Sequence, residues 1–132
     1  MNRIVHFEIP AADLQRAADF YRKVFGWKIE KWPNGEQEYW AVMTADRESS
    51  EPGINGGMVL RKAEVAPATG ANAFVCTVQV EDYDETEQRI FDAGGRAAEQ
   101  KTIVAGVAWQ GYYLDTEGNT FGLHQQFKES KS

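Results

Sequence analysis

Apolar and polar positions alternate along the first strand-like segment: Val5, Phe7 and Ile9 share one face and His6 and Glu8 the other. This period of two is the signature of a half-buried strand, which Pro10 is expected to end. From Asp13 the period lengthens. Leu14, Ala17, Ala18, Tyr21, Val24 and Phe25 recur at helical spacing, with Asp13 placed as an N-cap and Gly26 as a left-handed stop. Trp27 to Trp32 then reads as a strand, Pro33-Asn34-Gly35 as a turn, and Glu38 to Thr44 as a partner strand rich in aromatic and β-branched residues. A polar loop from Asp46 to Gly53 leads to a short strand around Gly57 to Arg61.

Residues 62–72 are small and irregular and carry no apolar period, as a connector would. Beyond them the pattern restarts. Phe74, Cys76, Val78 and Val80 alternate with Val75, Thr77 and Gln79; Asp82 is a second N-cap with Glu85 three residues on; Tyr83, Glu87, Ile90 and Ala93 continue a helix that Gly94-Gly95 ends. Ala97 to Thr102 is the weakest strand pattern. Ala108 to Asp115 and Thr120 to Phe127 are aromatic-rich strands joined by the turn Asp115-Thr116-Glu117-Gly118-Asn119. Asp13 and Asp82 differ by 69 positions and so do Gly26 and Gly95, so the helix ends repeat at one offset. The chain therefore reads as an α+β protein over 1–132, with a first βαβββ module at 1–61, a connector at 62–72 and a second βαβββ module at 73–128. One helix covers one face of a four-stranded sheet, so each module leaves a second face to be covered by something else.

Composition narrows the function. With 132 residues and 42% apolar content the chain can build a core. Its net charge of −6 removes the basic face that nucleic acid or an anionic membrane requires. No stretch approaches the ~20 apolar residues of a membrane span, and one cysteine, Cys76, forms neither an internal disulfide nor a multi-thiolate site. A cytoplasmic location is the expectation.

The opening Ile4-Val5-His6-Phe7-Glu8-Ile9 with Asp13-Leu14, then Asp19-Phe20-Tyr21 and Phe25-Gly26-Trp27, and the closing Asp115-Thr116-Glu117-Gly118-Asn119-Thr120-Phe121-Gly122-Leu123 together resemble the vicinal oxygen chelate superfamily of glyoxalase, bleomycin-resistance and ring-cleaving dioxygenase proteins. The likeness is closest to small proteins related to lactoylglutathione lyase. It implies paired βαβββ modules forming a partly closed, eight-stranded, cavity-bearing sheet, commonly in a homodimer. In metal-dependent members a divalent ion is held by one residue on the first and one on the last strand of each module, typically His or Glu. Those positions fall here on His6, Gly57, Val75 and Gly122, so three of the four carry no donor. A site for Zn²⁺, Ni²⁺ or Fe²⁺ needs three or more protein donors, and no metal or other cofactor is expected.

Strand alternation then sends His6 and Glu8, Gly57, Val59 and Arg61, Val75, Thr77 and Gln79, and Gly122, His124 and Gln126 to the face away from the helices. The two glycines should leave empty space where a metal would otherwise sit. The expected ligand pocket comprises His6, Glu8, Trp40, Arg61, Thr77, Gln79, Trp109 and His124, with the tryptophans available for stacking. His6, Glu8 and His124 are the candidate acid-base residues; converging, they would form a non-standard metal site. Packing histidines and solvated carboxylates are the plainer roles for the same side chains. Cys76 answers to Phe7 in the repeat and is expected in the core, protonated and unreactive; Asp19 and Glu87 are expected to be solvated. Two functions stay open: a metal-independent small-molecule binder, whose acidity would favour cationic ligands, and a lactoylglutathione-lyase-like lyase or isomerase. In the second, Glu8 or His6 removes a proton next to a carbonyl while Arg61 or His124 holds the oxyanion.

Overall fold

A computed structural model of the chain describes residues 1–33, 38–62, 74–104 and 106–128. Two compact units divide it, Met1–Glu64 and Val65–Ser132. The first contains β1 (Phe7–Ala11), α1 (Leu14–Phe25), β2 (Lys28–Lys31), β3 (Tyr39–Met43) and β4 (Gly56–Leu60). The second contains β5 (Thr77–Gln79), α2 (Tyr83–Asp92), β6 (Arg96–Val104), β7 (Ala108–Leu114) and β8 (Thr120–Gln126). Each unit is one βαβββ set forming its own four-stranded sheet, in the orders β1-β4-β3-β2 and β5-β8-β7-β6, with the first and last strands of each set parallel.

The helices form where capping and periodicity place them. The Asp13 carboxylate accepts from the Arg16 amide at 3.0 Å, and the Asp82 carboxylate from the Glu85 amide at 3.0 Å, each satisfying a donor that the first helical turn leaves without a partner. Gly26 closes α1 at φ 72°, a left-handed conformation that glycine adopts without a Cβ clash. The apolar stripe of α1 packs Leu14, Ala17, Ala18, Phe20, Tyr21 and Val24 against Ile29, Trp40, Val42 and Met58 of the sheet. Trp27, just past the helix, stacks on Tyr21 with ring centroids 5.2 Å apart. In the second unit Tyr83 and Ile90 of α2 are buried along with Tyr113, Phe121 and Leu123, and the Tyr83 and Tyr113 rings lie 6.3 Å apart.

Several strand limits differ from the pattern. Pro10 does not end β1: it pairs in register with Val59 and the strand runs on to Ala11. An edge strand tolerates a residue without an N–H, because one of its two hydrogen-bonding sides has no neighbour. Val5 lies before the strand and is 77% exposed, and Phe74 is fully exposed before β5, which keeps only Thr77–Gln79. Cys76, immediately before β5, is likewise an exposed residue rather than a core one, although its carbonyl accepts from the Gly122 amide at 2.9 Å; partial burial of its thiol still holds the pKa above the ordinary thiol value, so it remains protonated. The weakest pattern, Ala97 to Thr102, belongs to the longest strand, β6. As an edge strand exposed along most of its length, β6 has no buried face to impose alternation, and its register against β7 shifts twice. Asn34 and Gly35 of the expected turn and residues 63–72 of the expected connector lie outside the described residues.

Candidate functional site

The face of each sheet away from its helix carries the candidate chemistry, and strand register defines who shares it. In the first unit Glu8 pairs with Gly57, and Gly57 with Ala41; one step along, Pro10 pairs with Val59, and Val59 with Tyr39. In the second, Thr77 pairs with Gly122, and Gly122 with Tyr112; one step along, Gln79 pairs with His124, and His124 with Gln110. Superposing these ladders equates Glu8 with Thr77, Gly57 with Gly122, Val59 with His124, and Tyr39 with Gln110.

That equivalence has a consequence at the two glycines. A Cβ on Gly57 would overlap the hydroxyl and ring of Tyr39, which leans across β4. A Cβ on Gly122 would overlap the Thr77 hydroxyl and come within 2.9 Å of Gln110 Nε2. The positions are filled rather than empty, Gly57 by Tyr39 of the third strand of its module and Gly122 by Thr77 of the first strand together with Gln110 of the third. Tyr39 continues toward His6, its hydroxyl 3.5 Å from Nε2. Gln110 continues in both directions, its Oε1 2.7 Å from His124 Nδ1 and its Nε2 donating to Thr77 Oγ1 at 3.4 Å.

These residues do not fit the His/Glu set that would hold a divalent ion. Val75 and both glycines offer no donor, and the volume a longer side chain would need at 57 or 122 is taken by Tyr39 or by Thr77 and Gln110. His6 and Glu8 belong to one unit and His124 to the other, and among the described residues no group of three His, Cys, Asp or Glu side chains assembles as a cage.

The remaining candidates divide by face. Glu8 is exposed on the uncovered side of β1. Arg61 follows β4, with its backbone amide on the Ala11 carbonyl at 2.9 Å and its guanidinium 3.3 Å from the Pro10 carbonyl. Thr77, Gln79 and His124 lie on the uncovered side of the second sheet. The two tryptophans do not. Trp40 is buried in register with Met58 on the α1 side, where its indole N–H donates to Glu38 at 3.0 Å. Trp109 shares its face with Gly111 and Tyr113, under the Lys101 ammonium at 4.3 Å and against Phe127. Both are expected in the pocket from the sequence; the observed registers put Tyr39 and Tyr112, not the tryptophans, on the face away from the helices.

A second polar cluster lies on the opposite face. Tyr113 donates to the Glu87 carboxylate and lies 2.8 Å from the Tyr83 hydroxyl, and a Cβ on Gly111 would overlap that hydroxyl. Burial, and next the bond to Glu87, push the Tyr113 phenol far above its usual range. Glu87, expected to be solvated, is therefore a partner in the packing of α2. The signal was present in the spacing: Glu87 stands four residues after Tyr83 and three before Ile90, on the buried stripe.

Comparison with known proteins agrees with this architecture. Residues 3–44 match the family described as bleomycin resistance protein-like N-terminal. A glyoxylase-like domain-containing protein of Didymella fabae is 30% identical over 122 residues, covering 92% of this chain and 91% of that protein. The fosfomycin resistance protein FosX of Listeria monocytogenes superposes with a TM-score of 0.70 at 15% identity, over 96% of this chain and 95% of its own. A glyoxalase-related enzyme from Fulvimarina pelagi does so with a TM-score of 0.65 at 18% identity, over 96% and 89%. At such identities the two structures bear on the fold alone.

Proposed function

Because the chain belongs to the vicinal oxygen chelate superfamily of glyoxalase, bleomycin-resistance and dioxygenase proteins, we propose that it binds a small organic molecule on the uncovered faces of its sheets and does so without the metal centre of the metal-dependent members. The observation that carries this reading is the replacement of two metal-ligand positions by glycines whose side-chain space is taken by Tyr39 and by Thr77 and Gln110. Without a metal to stabilise an enediolate, which supplies several kcal/mol in relatives that use one, the residues at hand favour recognition over turnover. Glu8, Arg61 and the His6–Tyr39 pair give the first face charge and hydrogen-bonding groups; Thr77, Gln79, Gln110 and His124 give the second face hydroxyl, amide and imidazole groups.

The likeness to resistance proteins makes bleomycin and fosfomycin the first probes, one large and cationic, the other small and anionic. Calorimetric titration of the purified protein should show saturable binding to a member of such a panel, with no consumption of it. Elemental analysis showing one tightly held Ni, Zn or Fe per chain would overturn the metal-free reading. Turnover of the methylglyoxal-glutathione hemithioacetal, abolished by Glu8→Gln, would replace binder with enzyme. A homodimer is part of the same proposal.

A further inference from the structure

Three side chains of the second unit form one hydrogen-bonded row across its uncovered face. Gln110, only 9% exposed, uses both ends of its amide, toward His124 Nδ1 at 2.7 Å and Thr77 Oγ1 at 3.4 Å. Gly122 leaves room for the amide, whose nitrogen rests 2.9 Å from the point at which any other residue would carry a Cβ. A carboxamide oxygen only accepts, so at this distance the imidazole brings the proton and Nδ1 is the protonated nitrogen. In the neutral ring the lone pair is then on Nε2, since the bond made by one nitrogen sets the state of the other.

We infer that this face reads an uncharged ligand group bearing an N–H or O–H donor, with His124 Nε2 as the acceptor and Gln110 as the positioning residue that keeps it so. The inference deepens the small-molecule reading above and rests on it for the existence of a ligand. Its second support is the company His124 keeps: Gln79 and Gln110 beside it in register, and Thr102 beyond Gln110, are uncharged, while the charged residues of this face, Glu99 and Arg96, stand on the edge strand β6 opposite Tyr112 and Leu114. An ionic group leaving water beside His124 finds no counter-charge among the residues in register with it, whereas an uncharged donor exchanges one hydrogen bond for another. The first unit differs, with Glu8 and Arg61 at its corresponding strands.

The test is an NMR experiment on the full chain with ¹⁵N-labelled histidine at pH 8, with His6 as the internal reference. His124 should show a protonated Nδ1 and an unprotonated Nε2. Gln110→Met, which keeps the length and removes the acceptor, should return the ring to the Nε2–H form that free imidazole prefers, and Gln110→Glu should restore Nδ1–H. Benzamide, which has an N–H donor, should move the His124 Nε2 signal at about tenfold lower concentration than benzoate, which has none. An Nε2–H ring in the unmodified protein, an unchanged tautomer in Gln110→Met, or a response to benzoate equal to that to benzamide overturns the inference. Should Gln110→Met fail to fold, the unmodified chain and Gln110→Glu still decide it. The tautomer is read without any ligand, so failure of the drug panel leaves this result standing, and a wrong tautomer leaves the panel standing. An Nδ1–H ring that responds to neither probe overturns the ligand-reading role.

Discussion

At the scale of single residues, the glycines of the two sheets are spaces owned by someone else's side chain. Gly57 belongs to Tyr39, Gly122 to Thr77 and Gln110, and Gly111 to Tyr83. Family motifs show that a ligand is missing at 57 and 122, but not what occupies the volume, because that depends on the register of a strand distant in sequence. This is why the sequence led to an expected vacancy where the structure has a filled one. Gly111→Ala should destabilise the protein by about 1–3 kcal/mol, the usual range for overpacking, because Tyr83 is pinned by Tyr113 and by Lys101 above its ring and cannot withdraw. Urea denaturation followed by far-ultraviolet circular dichroism measures it. Gly57→Ala should cost a similar amount alone and much less in a Tyr39→Ala background, so the two changes should show a coupling of about 1 kcal/mol or more, as touching residues do. Additive costs would mean that Tyr39 does not occupy the glycine's space.

Among the elements, helices were the more legible and edge strands the less. Asp13, Asp82 and Gly26 act locally, through backbone groups within a few residues, so their meaning survives in a single sequence. Asp82→Ala should cost about 1 kcal/mol, seen as a lower urea midpoint. The limits of β1, β5 and β6 depend on partners that no local pattern reveals, and the faces of Trp40 and Trp109 are set by strand registers that alternation alone does not supply. What fastens α2 to its sheet is also non-local, the Tyr113–Glu87–Tyr83 cluster. The folded protein holds the Tyr113 proton more tightly than the unfolded chain does, so the contribution is complete below the ordinary phenol value of about 10 and falls as pH rises beyond it. Burial raises Tyr83 as well and gives a slope of the same sign. Tyr113→Phe should therefore lower stability at pH 7, by about 1–3 kcal/mol for the partner lost to Glu87, and flatten the decline above pH 10. Urea midpoints measured from pH 7 to 11 test both; an unflattened alkaline limb would reassign that decline to other groups.

For the molecule as a whole, the acidity noted in the sequence has a definite effect on only one side of the balance. A net charge of −6 opposes nonspecific association and binding to polyanions, but it is unevenly matched to the edge strand β6. Sheet edges are natural templates for pairing, and charged side chains are the usual protection. Arg96, Glu99 and Lys101 guard the first two thirds of β6, whereas its end, Ile103 and Val104, is apolar and more than 40% exposed, with Val107 exposed just beyond. An apolar strand end of this kind on an otherwise acidic chain is a reason for self-association that the superfamily resemblance alone does not supply. Sedimentation equilibrium in 0.15 M salt should return a mass near twice the 14.8 kDa of the chain, and Ile103→Glu, exposed enough to leave the fold intact, should shift it toward the monomer. A dimer indifferent to Ile103→Glu would place the contact elsewhere, and a monomeric mass at micromolar concentration would remove the homodimer from the proposal.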